Sequence, residues 1–258
     1  MPAVSFDVHE IPFSRRGSWL NVSPVTALHT TSPDLHLVSH QTGMHAVLAL
    51  VPQRAGQRVE TTIEADPAVL TWSVDRGSIS AVFETVDTVR LRGNGLELRI
   101  ADAATALTPF TGTFFFQDPI DGSAIFTSYE TGRRYRVTSI RGSLEFDGAE
   151  ALGASARAVI ASGADGWEVA IEEFETARPP YASSTAFDDM VAHVGAQFDA
   201  YLQTVAGWRT AASPAAELAA YVLWSASVAP RGFLRRESIL MSKHWMDKVW
   251  SWDHCFNA

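Results

Sequence analysis

From Val4 to about Glu175 the chain is a succession of short segments in which apolar or β-branched residues alternate with polar ones. Period-two alternation sends successive side chains to opposite faces of a strand. Examples are Leu35-His36-Leu37-Val38, Val59-Glu60-Thr61-Thr62-Ile63, Val69 to Val74, and Trp167-Glu168-Val169-Ala170-Ile171. Turn-forming residues punctuate them: Asp75-Arg76-Gly77, Gly93-Asn94-Gly95, Asp118 to Gly122, Asp147-Gly148 and Asp165-Gly166. About a dozen short strands spaced in this way predict a large antiparallel β-sandwich. Gly93-Asn94-Gly95, between Val89-Arg90-Leu91 and Leu96-Glu97-Leu98, reads as the clearest hairpin, because glycine and asparagine enter positive φ at little cost.

After Arg178-Pro179-Pro180 the period changes. Phe187, Met190, Val191, Val194, Phe198, Tyr201, Leu202 and Val205 recur at three- and four-residue spacing, which predicts an amphipathic helix to about Ala206. Thr185 and Asp188 resemble a capping box at its start. Ser213-Pro214 reads as the N-cap and first position of a second helix, carrying Leu218, Tyr221, Val222, Leu223, Trp224 and Val228 and ending before Pro230. A third helix is expected from Asp253, with a helical continuation after Ala258. The expected layout is a β-sandwich over 1–180, linking helices over 181–210 and the opening of a helical domain over 211–258.

A chain of 258 residues with a mean hydropathy of +0.02 can bury a substantial core. No apolar run approaches the roughly 20 residues that span a bilayer, so no membrane partner is expected. The N-terminus has neither a basic stretch nor an apolar one of the secretory kind. The single cysteine, Cys255, allows no intrachain disulfide and fits a reducing compartment, with the cytoplasm as the default. A net charge of −9 argues against nucleic acid. Asn21-Val22-Ser23 is a sequon of little diagnostic weight.

Chemistry concentrates in Met241 to Ala258. Three of the eight tryptophans (Trp245, Trp250, Trp252) lie there among Lys243, His244, Asp247, Lys248, Asp253 and His254, and both lysines of the chain are in this tract. Flat apolar faces beside hydrogen-bonding groups suit a polyol such as a sugar, whose C–H faces stack on rings while its hydroxyls take oriented partners. Lys243, His244, Trp245, Trp250, Trp252 and Asp253 are the candidates for binding such a substrate. Asp247 and Lys248 are adjacent and read as solvated surface, as do Glu172, Glu173 and Glu175. His254 and Cys255 read as buried and inert. Asp118 and Asp121-Gly122 read as a tight turn and not a calcium loop. No phosphate-binding glycine loop, zinc ligand set or nucleophile elbow is present.

Leu223-Trp224-Ser225, Pro230-Arg231-Gly232, Met241 to Met246 and Trp250-Ser251-Trp252-Asp253-His254 together resemble glycoside hydrolase family 63 and its relatives, the trehalases and the glucosylglycerate and mannosylglycerate hydrolases. Ile11 to Leu20 and Thr113 to Pro119 are similar to parts of the β-sandwich domain of bacterial members. The resemblance implies a β-sandwich joined by linking helices to an (α/α)6 barrel, and hydrolysis of α-glucosides or α-mannosides with inversion, without metal or organic cofactor. It implies that Trp250 and Trp252 wall the sugar, that Asp253 hydrogen-bonds its hydroxyls, and that no catalytic residue lies in this chain, since both catalytic carboxyls come from later in the barrel. A rival expectation is a non-catalytic module, either structural or binding carbohydrate through Trp19, Trp72 and Trp167. The oligomeric state is open.

Overall fold

The computed structural model describes residues 4–103, 115–148 and 157–250. In chain order the first strands are β1 (Leu20–Ala27), β2 (Thr30–Ser39), β3 (His45–Arg54), β4 (Gln57–Arg58), β5 (Thr62–Ala65), β6 (Leu70–Val74), β7 (Gly77–Phe83) and β8 (Thr88–Asn94). Then come β9 (Glu97–Asp102), β10 (Phe115–Gln117), β11 (Ala124–Ser128), β12 (Arg133–Arg141), β13 (Ser143–Asp147), β14 (Ala158–Ser162) and β15 (Trp167–Phe174). Two helices, α1 (Phe187–Ala206) and α2 (Ala216–Ala226), precede a two-stranded ribbon of β16 (Ser227–Val228) and β17 (Ser238–Ile239).

The strands form two antiparallel sheets, one ordered β1-β2-β3-β9-β14-β13 with β4 beside β3, the other β10-β11-β12-β15-β8-β7-β6-β5. The alternation in the sequence is what closes them face to face. Leu35, Leu37, Leu48, Leu50, Leu98, Ile100 and Val159 from one sheet meet Leu70, Trp72, Ile79, Leu91, Tyr135, Val137, Val169 and Ile171 from the other in one buried cluster. The predicted β-sandwich followed by helices is therefore the observed fold.

Gly93-Asn94-Gly95 does not make the expected hairpin. β8 pairs with β7 and β15, whereas β9 pairs with β3 and β14, so the turn carries the chain from one sheet to the other. Gly95 takes φ +67°, as a hairpin glycine would, which is why the local signal is the same for both outcomes. Asp165-Gly166 is a second crossing, from β14 to β15. Trp167 sits between the two crossings, 1% exposed, its indole N–H donating to Leu96 O at 2.6 Å. Asp75-Arg76, by contrast, joins β6 to β7 as a true hairpin. Asp118 to Gly122 is a tight turn, closed by Gly122 N–H to Asp118 O at 2.8 Å.

The outer face of the second sheet is polar and covered. Arg136 pairs with Glu172 at 2.7 Å and also donates to Pro179 O. Arg90 pairs with Glu168, and Arg178 with Asp87 at 2.6 Å. The extended segment after β15 lies over these groups, and α1 presses Phe187, Met190 and Val194 onto Ala68 and Val82. No side chain caps α1. Asp188, expected in a capping box, instead forms a two-pronged pair with Arg92. The second helix begins at Ala216, two residues later than Ser213-Pro214 suggests, because the Ser213 hydroxyl donates to Thr210 O in a preceding turn. No helix among the described residues is long and apolar enough to cross a membrane.

Candidate functional site

Residues 241–250 invert the usual burial order. Lys243, His244 and Asp247 are buried, while Trp245, Met246, Val249 and Trp250 are exposed. Scattered exposed apolar residues mean little, but buried charge beneath an apolar surface is informative. The segment from Met241 to Lys248 is a loop closed by its own backbone, with Met241 N–H on Lys248 O at 3.1 Å and Ser242 N–H on Met246 O at 3.0 Å.

The buried side is anchored on the N-terminal tract and on β1 and β2. Lys243 Nζ donates to Ser14 Oγ (2.9 Å), Ser18 O (2.6 Å) and Ser227 O (3.3 Å). Burial pushes its pKa well below the lysine range. Asn21 Nδ2 donates to Lys243 O at 2.6 Å and lies 2.8 Å from His40 Nε2. Because Lys243 O can only accept, Asn21 must present its NH2 here, and His40 Nε2 then accepts. That leaves the His40 proton on Nδ1, facing Asp247 Oδ2 at 3.6 Å. Burial pushes the Asp247 carboxyl up, but His40 and the ammonium of Lys248, at 2.7 Å, outweigh it and hold the pKa below the usual value. Burial pushes the His40 imidazole down.

On the open side Trp245 is 42% exposed and lies between two imidazoles: the His244 ring stacks on it at 5.7 Å and the His29 ring tilts against it at 5.3 Å. His29 sits in the β1–β2 turn at φ +56°, a left-handed conformation uncommon outside glycine. Burial lowers the His244 pKa, with Glu10 opposing, so the ring favours its neutral form. A half-open indole beside two imidazoles, His244 and His29, offers an apolar ring next to hydrogen-bonding groups.

The structure thus treats the expected site residues differently. Trp245 and His244 meet around one aromatic platform, and Trp250 is exposed on the same tract. Lys243 faces inward, where a ligand does not reach it. Trp252, Asp253, His254 and Cys255, with the third helix expected from Asp253, lie outside the described residues. Lys248 is exposed as expected, but Asp247 is not surface: it turns in towards His40. Sequence reasoning missed His29, Asn21 and His40, whose partners are remote in the chain and leave no local signal. The Asn21 sequon is closed, its side chain being fully buried.

Glu172 and Glu173 are also buried and not solvated; only Glu175 is exposed. Glu173 accepts from Tyr135 OH at 2.9 Å, from Ser39 Oγ at 3.1 Å and from Gln41 Nε2, with Arg231 at 3.7 Å. Here a signal existed: Glu173 keeps the inward parity of Val169 and Ile171. Trp72 and Trp167 belong to the core, each 1% exposed, and the Trp19 indole donates to Ala229 O, so these three do not make a solvent-facing platform. No protein-family model matches the chain, and no curated protein matches it.

Proposed function

We propose that this chain contributes the β-sandwich and one wall of the sugar site of an inverting α-glycosidase. The substrate class is an α-glucoside or α-mannoside, either a short oligosaccharide or a glucosylglycerate-type solute. The observation that carries the reading is the platform itself: a half-open Trp245 beside His244 and His29, on a loop that turns Lys243 and Asp247 inward and leaves its tryptophan partly open. Sugar recognition uses this combination of an apolar face with polar edges. The tract's resemblance to the Trp-x-Trp-Asp element of family 63 supports the same reading, with Trp250, Trp252 and Asp253 continuing the wall. Inversion uses an acid and a base about 6.5–9.5 Å apart, and the resemblance places both in the barrel, outside these residues. The chain should therefore bind sugar without cleaving it.

Calorimetric or saturation-transfer titration with D-glucose and trehalose tests this. Binding in the millimolar range is expected, about tenfold weaker or lost in Trp245→Ala, with no turnover of an aryl α-glucoside. Absence of binding, or equal binding by Trp245→Ala, would overturn the proposal.

A further inference from the structure

We infer that Lys243 is the positioning residue of the aromatic platform, fastening the loop that carries Trp245 to the N-terminal tract of the sandwich. None of the apolar side chains Trp245, Met246, Val249 and Trp250 is fully buried, so apolar packing contributes little to fixing this loop. What holds it is polar. All three N–H groups of the Lys243 ammonium have an oxygen within 3.3 Å, from Ser14, Ser18 and Ser227. Ser14 Oγ donates its own proton to Leu20 O at 2.6 Å, so it meets the lysine as an acceptor. Among the described residues no carboxylate pairs with the ammonium, and these short, directional contacts fix its position.

The grip extends to the backbone of the same residue, since Lys243 O accepts from Asn21. With side chain and carbonyl both fixed at 243, and the loop closed on itself by Met241 N–H to Lys248 O and Ser242 N–H to Met246 O, the intervening Trp245 has little freedom to turn. The acceptors are themselves fixed. Gly17 N–H bonds Ser227 O at 3.1 Å and Ala229 N–H bonds Gly17 O at 2.8 Å, which ties the Arg15–Ser18 turn to β16. A hydrophobic residue of equal length at 243 would fill the space but take the lysine's protons from Ser18 O, Ser14 Oγ and Ser227 O, leaving the last two only their bonds to Leu20 O and Gly17 N–H.

The link to sugar rests on the reading of Trp245 as a sugar-facing ring; the link to its position does not. The test labels the chain with 5-fluorotryptophan and follows the 19F spectrum of its eight tryptophans, with the Trp245 resonance assigned by Trp245→Phe. In Lys243→Met the Trp245 resonance should move towards its unfolded position and gain solvent-isotope sensitivity, while those of Trp72 and Trp167 stay put. Ser14→Ala, which removes one acceptor, should shift it the same way by less, and it carries the test should Lys243→Met fail to fold. Glucose affinity should fall about tenfold alongside. An unmoved Trp245 resonance overturns the inference, as does equal movement of all eight. A displaced Trp245 in a chain that binds no sugar upholds Lys243 as the fastener and rejects the sugar reading.

Discussion

Substituting Gly93 by alanine tests the corner at which the chain passes between the sheets. Gly93 does not need positive φ, so the backbone is not at issue. A methyl group at this position would overlap the Trp167 indole, with Nε1 only 2.6 Å away. The indole cannot yield freely, since it is 1% exposed and donates to Leu96 O. Overpacking of this kind costs about 1–3 kcal/mol. Breaking the Trp167–Leu96 hydrogen bond in a buried place adds about 1–3 kcal/mol. We therefore expect Gly93→Ala to lose about 4 kcal/mol. At about 2–4 °C per kcal/mol for a chain of this size, the melting temperature falls by about 8–16 °C. Urea unfolding, followed by tryptophan emission and far-ultraviolet dichroism together, provides the measurement. In a Trp167→Phe background, which removes the overlapping indole atoms, the same substitution should cost about 1 kcal/mol. A small loss in the wild-type chain, or an equal loss in both backgrounds, would refute the argument.

Two further outcomes follow from the buried charges. Burial pushes the Glu173 carboxyl up from its ordinary 4.5, so folding takes up a proton there and stability should decline as pH rises above that value. Glu173→Gln should flatten that part of the curve; unfolding free energies of both chains between pH 4 and 8 check it, and an unchanged slope counts against the assignment. Arg136→Met should lose about 3 kcal/mol by leaving buried Glu172 only its longer contact to Arg178, and adding Glu172→Leu should recover most of this. Arg178→Met, at the more open and longer contact to Glu172 (3.4 Å), should lose about 1 kcal/mol or less.

The sandwich was legible because period-two alternation is a local property that every strand repeats, and α1 because its period changes cleanly after Pro180. What failed were features in which two distant parts compete. A Gly-Asn-Gly turn suits a hairpin and an inter-sheet corner equally well, and only the pairing of β9 with β3 decides between them. Adjacent Asp247 and Lys248 pair with each other at 2.7 Å and do not diverge, and which of them is buried depends on His40, remote in the sequence. The platform was half legible: its indole and one imidazole adjoin in sequence, while the other imidazole arrives from the β1–β2 turn.

The tract from Pro12 to Trp19 takes several of its hydrogen bonds from residues some two hundred positions later. Tyr221 and Ser225 both donate to Pro12 O, the Trp19 indole donates to Ala229 O, and Lys243 Nζ bonds Ser14 and Ser18. A ribosome delivers the first of these groups more than two hundred residues before the last. Phe13 finds Val22 and Phe83 early, but Ser14, Ser18 and Pro12 O must wait for these partners until α2 and the Lys243 loop have emerged. Assembly of this edge is therefore a late, long-range event, which leaves its hydroxyls and carbonyls to water until partners more than two hundred residues away arrive.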